Sequence, residues 1–367
     1  MVVVVKIGTS SLTDENGVIR QGAIKKLCAE VAAARSIGHQ VVLVTSGAIG
    51  AGLPVLGLTG DLRPLDARTL QAVSAVGQSR LMAVYSEELA HHSLVGGQVL
   101  LAPLDFVDRR QYLQARGTLL RLLELGVVPI VNENDAVADD EIRFGDNDRL
   151  AALVAHLVDA EMLILLTDTS GLYSTDPRID PAASFIEEIL EFDHQLEKSA
   201  GGPGTPGGSG GMASKVSAAK IAAWSGVRSV IAAAHRPDVV ADAIAGVSGV
   251  GTTIAAEERD LPARKLWIAF AVRASGVITV DDDARTALQR GGASLLAAGV
   301  VGVDGDFDTD DAVELADTSG AIFAKGLVRS GSALLESGVG LSGENLAPEM
   351  SAIVIHADDL VILLNGE

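Results

Sequence analysis

Apolar runs and amphipathic segments alternate over residues 1–254 of the chain. Short continuous apolar runs are typical of strands covered on both faces, whereas apolar residues at i, i+3, i+4 and i+7 indicate a helix with one buried face. The predicted strands span residues 2–7, 41–44, 97–102, 127–131, 162–166 and 229–233. The predicted helices lie between them, at residues 24–37, 65–91 (as one or two helices), 109–125, 146–158, 212–224 and 238–245. This alternation predicts an α/β fold with a mainly parallel sheet and helices on both faces.

The pattern changes beyond Arg264, where short strands follow one another with turns between them. The strands predicted there span residues 266–270, 276–280, 300–305, 312–315, 322–327 and 352–355, with one helix at 284–291. Such a series is typical of a small β-barrel or sandwich. We therefore predict an α/β domain at residues 1–254, a linker at 255–264, and a small β-barrel-like domain with the C-terminal tail at 265–367.

Length and composition agree with two domains that have aliphatic cores. The chain has 367 residues, 48% of them hydrophobic but only 3% aromatic, and 40 glycines that suit many tight turns. Cys28 is the single cysteine, so no disulfide can form within the chain. The N-terminus lacks the features of a signal peptide, and no apolar run approaches the roughly 20 residues of a membrane span. We expect a soluble, cytoplasmic protein with no membrane partner.

The formal net charge of −20 limits the partners that the chain can attract. A field of that sign repels nucleic acids and anionic membranes. If the ligand is an anion, its site must concentrate positive charge of its own, from lysines, a divalent metal or helix N-termini.

Two of the predicted strands end in turns of small and hydroxyl residues. Lys6, near the end of the first strand, is followed by Gly8-Thr9-Ser10-Ser11, and the second strand runs into Thr45-Ser46-Gly47-Ala48. A lysine at a strand end often extends to the surface with its charge in water. The functional alternative is an ammonium group aimed at phosphate oxygens across the glycine turn.

Carboxylates and amides are most concentrated between residues 128 and 152. An apolar strand runs directly into Asn132-Glu133-Asn134-Asp135, and Gly145-Asp146-Asn147-Asp148 then opens an amphipathic helix for which Asp146 is a suitable N-cap. The carboxyl end of a buried strand and the start of a helix form the usual ligand position of an open α/β sheet. Two ordinary polar turns are the alternative interpretation.

A glycine-rich run at residues 199–211 precedes the helix that contains Lys215. By composition the run is a flexible linker. A glycine-rich loop that leads into a helix start also offers free backbone N–H groups, and Lys215 adds positive charge, which together suit a polyphosphate. The spacing excludes a Walker A loop.

Six motifs, taken together, resemble one family. They are Val4-Val5-Lys6-Ile7-Gly8-Thr9-Ser10, Val44-Thr45-Ser46-Gly47-Ala48-Ile49, Val131-Asn132-Glu133-Asn134-Asp135, Gly145-Asp146-Asn147-Asp148, Thr167-Asp168 with Gly171-Leu172-Tyr173 and Asp176-Pro177-Arg178, and Gly210-Gly211-Met212-Ala213-Ser214-Lys215. In order and approximate spacing they resemble the glutamate 5-kinases of the amino-acid kinase superfamily. The block after Arg264 is similar to the PUA domain that many bacterial members carry. The resemblance implies a three-layer αβα sandwich followed by a PUA domain.

The resemblance also implies an activity and its partners. The family uses ATP to phosphorylate the side-chain carboxylate of L-glutamate, which yields γ-glutamyl phosphate in the first step of proline biosynthesis. It implies feedback inhibition by proline, a homo-oligomer (dimer or tetramer), and γ-glutamyl phosphate reductase, the next enzyme of the pathway, as a possible partner. Mg²⁺ is expected to bridge the ATP phosphates, largely through water and without an assigned protein ligand.

Matching positions carry the family's functional roles onto this chain. Lys6 and Lys215 are expected to neutralise the transferred phosphoryl group, and Asp148 to hold both lysines. Ser46, Asp135 and Asn147 are expected to bind glutamate, with Asp135 at the α-ammonium and the Asn147 amide at a carboxylate. The residues expected around the nucleotide are Lys6, Thr167, Asp168, Ser209, Gly210, Gly211, Met212, Ala213, Ser214 and Lys215.

Two other functions are compatible with parts of the sequence. An N-acetylglutamate kinase has the same fold, but it is not expected to carry the C-terminal β domain, and an acetylated amine needs no acidic partner such as Asp135. An RNA-binding role is the other alternative, because PUA domains elsewhere bind RNA. Residues 265–350 hold 6 Lys or Arg against 13 Asp or Glu, which is not the basic surface expected of an RNA binder.

Overall fold

The computed structural model describes residues 1–14, 16–59, 66–102, 104–137, 147–175, 180, 182–190, 211–257, 261–270, 272, 274–338 and 351–363. The chain forms two compact units, Met1–Asp260 and Leu261–Glu367. The division falls inside the segment that the sequence predicts as a linker. No helix among the described residues is both long enough and apolar enough to cross a membrane.

An eight-stranded sheet forms the centre of the first unit. Its strands are β1 Val2–Ile7, β2 Gln40–Val44, β3 Gly96–Leu101, β4 Val128–Glu133, β5 Met162–Thr167, β8 Glu188–Ile189, β9 Arg228–Ala233 and β10 Thr252–Ile254, while β6 Leu172–Tyr173 and β7 Phe185–Ile186 form a separate hairpin. Their order in the sheet is β3-β4-β2-β1-β5-β9-β10-β8. Every neighbouring pair is parallel except β9 and β10. The predicted mainly parallel sheet is confirmed.

Helices cover both faces of this sheet. The helices of the unit are Thr9–Leu12, Gln21–Ser36, Ala48–Gly52, Ala67–Ala90, Leu104–Val107, Arg109–Glu124, Asn147–Leu157, Met212–Trp224 and Val239–Ala245, with a 3₁₀ turn at Pro54–Leu56. The sheet strands alternate their apolar side chains between the two faces, so each face presents a continuous aliphatic surface. One core cluster joins β1, β2 and β5 to Gln21–Ser36, Ala67–Ala90 and Val239–Ala245. Asn147–Leu157 and Met212–Trp224 pack together and against the sheet, which completes the three-layer αβα sandwich.

Two of the long helices begin at aspartate caps. The side chain of Asp66 accepts from the N–H of Thr69, and that of Asp108 accepts from the N–H of Gln111. Such caps satisfy N–H groups that have no partner within the helix. The predicted cap of a third helix, Asp146, lies outside the described residues.

Strand order brings the polar strand ends of the first unit together. β1 lies at the centre and pairs with β2 on one side and with β5 on the other, and β4 lies beyond β2. Because these strands are parallel, their carboxyl ends meet at one edge of the sheet. A change in the direction of strand order at such an edge creates the crevice in which open α/β sheets bind ligands.

The second unit contains a five-stranded sheet and a two-stranded sheet. The five-stranded sheet consists of β11 Gly276–Val280, β13 Val300–Gly305, β14 Ala312–Ala316, β15 Ile322–Leu327 and β17 Leu360–Ile362, and the small sheet of β12 Leu295–Leu296 and β16 Ile353–Ile355. Its helices are Ala263–Phe270, Asp282–Gln289 and Ser332–Ser337, with 3₁₀ turns at Ala297–Gly299 and Ala357–Asp359. Side chains of both sheets and of two of the helices share one apolar core.

The sequence prediction was wrong at the start of this second unit. Residues 266–270, predicted as a strand, belong to the helix Ala263–Phe270. A short apolar run does not distinguish a buried strand from a buried helix. The stronger signal was Pro262, because proline is favoured at helix starts, and its carbonyl accepts from the N–H groups of Lys265 and Leu266.

Candidate active site

A cavity of about 840 Å³ opens at the carboxyl ends of β1, β2, β4 and β5. Predicted site residues that line it are Lys6, Ser46, Asp135, Asn147, Thr167 and Lys215. Each follows or ends a strand, or begins a helix, at the same sheet edge. Residues that are far apart in the sequence therefore meet in a single cavity.

Two ammonium groups bind one buried carboxylate in this cavity. Lys6 Nζ forms an ion pair with Asp148 Oδ1, and Lys215 Nζ lies 3.0 Å from Asp148 Oδ2. The side chains are 3% and 7% exposed for the lysines and 0% for the aspartate. Buried charges are tolerated when they are paired and hydrogen-bonded. Two ammonium groups therefore share one carboxylate beside the cavity.

The pKa of Asp148 reflects this pairing. Burial alone raises the pKa of a carboxyl group, but the ammonium groups of Lys6 and Lys215 outweigh burial and hold the pKa of Asp148 below its usual value. The carboxylate is therefore ionised throughout the physiological pH range. It is not a candidate for proton transfer, and its chemistry here is to hold the two lysines.

The helix Met212–Trp224 presents its first turn to the same cluster. Ser214 Oγ lies 2.9 Å from Asp148 Oδ2 and 2.8 Å from the carbonyl oxygen of Gly211. A hydroxyl carries one hydrogen, so it donates to one of these acceptors at a time. Met212 and Ala213 lie in this turn as well, while Ser209 and Gly210 lie outside the described residues.

The end of β5 supplies the remaining residues predicted to bind the nucleotide. Thr167 is buried and lines the cavity, whereas Asp168 is exposed. Thr167 Oγ1 donates to Asp168 Oδ1 over 3.0 Å. Their roles toward a nucleotide remain predictions.

A network of amides and hydroxyls forms another wall of the cavity. Asn147 Nδ2 lies 3.0 Å from Ser46 Oγ, 2.8 Å from the carbonyl oxygen of Thr45 and 2.8 Å from Asn132 Oδ1. Gly47, the residue after Ser46, has a φ of +95°, a left-handed conformation that favours glycine. The turn therefore redirects the chain into the helix Ala48–Gly52 immediately after Ser46.

Helix Ala67–Ala90 contributes contacts that the sequence analysis missed. Ser74 Oγ donates to Asp135 Oδ2 over 2.6 Å, and Gln78 Oε1 accepts from Asn132 Nδ2 over 2.7 Å. The missed signal was the spacing, because Ser74 and Gln78 are one turn apart on the face that also carries the apolar residues of the helix. Polar side chains on such a face need partners.

The loop before helix Gln21–Ser36 also lines the cavity and was not predicted. Its contributors are Thr13, Asp14, Gly17 and Arg20. A bridge between Thr13 and Ile19 holds the loop closed. The cavity is thus bordered by a third segment in addition to the strand ends and helix starts.

Among the described residues, no group of three or more His, Cys, Asp and Glu side chains could hold a metal ion. Asp148 is paired on both oxygens, so its carboxylate is not open to a cation. The cavity thus has ammonium groups at Lys6 and Lys215, a carboxylate at Asp135 and an amide at Asn147.

Comparison with known families identifies the class of protein. The model of the amino acid kinase family matches residues 1–233, and that of the PUA domain matches residues 276–345. The fold and the site therefore define a kinase of the amino acid kinase family with a C-terminal PUA domain. The predicted fold class is confirmed.

Close relatives assign the chain to one branch of that family. The glutamate 5-kinase of Caldanaerobacter subterraneus subsp. tengcongensis is 43% identical over 371 residues, covering 100% of this chain and 99% of the relative. The glutamate 5-kinase of Polaromonas naphthalenivorans is 46% identical over 331 residues, covering 90% and 87%. The chain belongs to the glutamate 5-kinase family.

A solved structure shares the fold of the first unit. Carbamate kinase from Giardia lamblia, bound to AMP-PNP, is 19% identical with a TM-score of 0.51, and the match covers 70% of this chain and 98% of that one. At this identity the likeness concerns the fold alone.

Proposed function

We propose that this chain transfers the γ-phosphoryl group of ATP to the side-chain carboxylate of L-glutamate, forming γ-glutamyl phosphate. The observation that carries the proposal is the convergence of Lys6 and Lys215 on Asp148 beside a cavity that also holds Asp135 and Asn147. Near-full-length likeness to glutamate 5-kinases supports the same substrate.

The geometry is suited to a reaction that depends on charge and alignment. Phosphoryl transfer develops charge on the equatorial oxygens, which fixed positive groups stabilise. A carboxylate is already a nucleophile, so the reaction needs no general base. We propose that Lys6 and Lys215 neutralise the transferred group, and that Asp148 fixes both ammonium groups before the substrates bind.

The substrate side of the cavity suits an amino acid with a free α-amine. A charged α-ammonium calls for an acidic partner, and Asp135 lines the cavity with Oδ2 already held by Ser74. We propose that Asp135 binds this ammonium and that Ser46 and Asn147 bind the rest of glutamate. An acetylated amine would place a neutral group against the Asp135 carboxylate, which disfavours N-acetylglutamate.

We propose that ATP occupies the side on which Thr167, Asp168 and residues 211–215 lie, and that Ser209 and Gly210, which lie outside the described residues, also contact it. The first turn of helix Met212–Trp224 provides backbone N–H groups that suit phosphate oxygens. Mg²⁺, when bound, would neutralise charge on the phosphates. Because Asp148 is engaged by both lysines, the nucleotide and water would supply most of the ligands of the ion.

A trapping assay tests the proposal directly. Purified protein with ATP, Mg²⁺ and hydroxylamine should form a hydroxamate from L-glutamate, because an acyl phosphate is the electrophile that hydroxylamine traps. N-acetylglutamate and D-glutamate serve as matched substrates in the same ADP-release assay. Equal or faster turnover of N-acetylglutamate would reassign the substrate, and ADP release without hydroxamate would exclude an acyl phosphate.

The proposal includes regulation and assembly. Proline shares an ammonium and a carboxylate on one carbon with glutamate, so we propose inhibition at or over the glutamate site, visible as a higher apparent KM for glutamate. We also propose a cytoplasmic homo-oligomer that supplies γ-glutamyl phosphate to the reductase of the next step. The excess of acidic residues in the second unit supports a regulatory or structural role for the PUA domain rather than RNA binding.

A further inference from the structure

Gln78 is a buried polar residue that does not itself line the cavity. It belongs to helix Ala67–Ala90 and is 7% exposed. Its Oε1 accepts from Nδ2 of Asn132, which is 2% exposed and does line the cavity. The hydrogen bond to Asn132 is thus a route by which this side chain can influence a substrate.

The orientation of the Asn132 amide follows from a backbone group. The N–H of Glu133 lies 3.0 Å from Asn132 Oδ1, and a backbone N–H can only donate. The atom facing it must therefore be oxygen, and the NH₂ of Asn132 must face Gln78. Gln78 in turn must present its oxygen, so its own Nε2 points away from Asn132; this nitrogen is buried and has no hydrogen-bond partner in the part of the chain that the structure describes.

A second backbone group fixes the amide of Asn147. The carbonyl of Thr45 can only accept, and it lies 2.8 Å from Asn147 Nδ2. Asn132 Oδ1 accepts from the same nitrogen over 2.8 Å. The Oδ1 of Asn147 is thereby turned away from both acceptors, and within the described ranges this buried atom has no hydrogen-bond partner. A buried acceptor without a donor is unfavourable, so the amide keeps this orientation only because its neighbours hold the nitrogen.

We propose that Gln78 is a positioning residue of the amino-acid subsite. Gln78 holds Asn132, Asn132 holds Asn147, and this chain of amides fixes the part of the cavity wall that Asn132 and Asn147 form, where we place the amino acid beside Asp135. The inference rests on the proposed function, because it assumes that the amino acid lies on this side of the cavity. It revises the expectation that the Asn147 amide binds a carboxylate, since the nitrogen is already engaged within the protein.

Two substitutions separate positioning from bulk packing. Gln78→Met keeps the length and approximate volume of the side chain but removes the acceptor for Asn132. Gln78→Glu keeps an oxygen toward Asn132 and replaces the amide nitrogen, which has no partner among the described residues, with a second oxygen; it also adds an ionisable group, so its glutamate KM is measured as a function of pH. We expect Gln78→Met to raise the KM for glutamate about tenfold with the KM for ATP within about twofold, and Gln78→Glu to restore most of the loss.

The double variant with Asn147→Ala tests the route of the effect. If Gln78 acts through Asn147, Gln78→Met should add little to the glutamate KM once Asn147 is truncated. Additive effects would overturn the proposal, as would an unchanged glutamate KM in Gln78→Met or parallel changes in both KM values.

If Gln78→Met does not fold, Gln78→Asn, which withdraws the amide by one methylene, takes its place with the same expectation. Inactivity of the unaltered chain with glutamate would overturn the proposed function together with this inference, whereas an active chain indifferent to Gln78 overturns this inference alone.

Discussion

Lys6 and Lys215 lie near opposite ends of the first unit's sequence, yet their ammonium groups bind different oxygens of the same buried carboxylate. One lysine comes from the central strand of the sheet and the other from the first turn of a helix. Neither position is available unless the whole α/β unit has folded. The site is therefore a property of the sheet and its crossovers, and its positive charge is set before any substrate arrives.

Alanine at either lysine should slow turnover far more than it weakens binding. Removal of one fixed group that stabilises developing charge lowers kcat by about 10²–10³-fold. We expect this loss in Lys6→Ala and in Lys215→Ala, measured as ADP release at saturating glutamate and ATP. The matched control is Lys220→Ala, on the same helix as Lys215, whose Nζ lies 5.7 Å from the ring centroid of Trp224. Near-normal kcat in a lysine variant, or an equal loss in the control, would remove that lysine from the mechanism.

Asp148→Asn should destabilise the fold and make its free energy of unfolding depend less on pH under acidic conditions. Removal of the carboxylate takes from two buried ammonium groups the counter-ion that they share, and breaking a buried ion pair costs about 3–5 kcal/mol. The pKa of Asp148 is lower in the folded chain than its unfolded value of about 3.9. Its contribution is therefore present above about pH 4 and is lost as the pH falls through the folded pKa.

Urea unfolding from pH 7 to pH 3 measures this contribution of Asp148. The free energies of unfolding of the unaltered chain and of Asp148→Asn should differ most above about pH 4 and converge as the pH falls further. A constant difference across the whole range would show that the carboxylate does not stabilise the fold through its charge.

Asp135→Asn should act on glutamate and spare the nucleotide. The substitution keeps an oxygen for Ser74 but removes the charge that we assign to the α-ammonium. Loss of a charged hydrogen bond is worth about 1.5–3 kcal/mol, so the KM for glutamate should rise at least tenfold with the KM for ATP little changed. Asp242→Asn, which removes an equal charge from an ion pair with Arg236, is the control. A glutamate KM unchanged from that of the control contradicts the assignment.

The sequence predicted the strands of the first unit well because β1 and β5 are apolar runs covered on both faces. The pattern alone indicated a ligand position at Asn132–Asp135 and at the helix start near Asn147, but only the resemblance to a family joined Lys215 to Lys6, since no local pattern places these two lysines together. Gln78 escaped prediction for a physical reason. A polar residue in a helix usually faces solvent, and its true partner, Asn132, is distant in the sequence and becomes adjacent only when helix and sheet pack.

Gly77 lies where helix Ala67–Ala90 packs closely against helix Ala48–Gly52, so a larger side chain at this position should affect stability. A Cβ added there would lie 1.8 Å from the carbonyl oxygen of Ala48 and 2.5 Å from the nitrogen of Gly52, and backbone atoms cannot move aside as a flexible side chain can. We expect Gly77→Ala to lower the free energy of unfolding by about 1–3 kcal/mol and to raise the KM for glutamate, because helix Ala48–Gly52 follows Ser46 directly.

Gly117→Ala is a control for Gly77→Ala, because we expect it to change the free energy of unfolding in the opposite direction. It lies inside helix Arg109–Glu124 with no atom within 4 Å of an added Cβ. Alanine is a better helix former than glycine, so Gly117→Ala should raise the free energy of unfolding by about 0.5–1 kcal/mol and leave both KM values unchanged. Urea unfolding and steady-state kinetics on the two variants test the pair together. Equal stability changes in both would mean that helix propensity, rather than the approach of helix Ala67–Ala90 to helix Ala48–Gly52, determines the effect at Gly77.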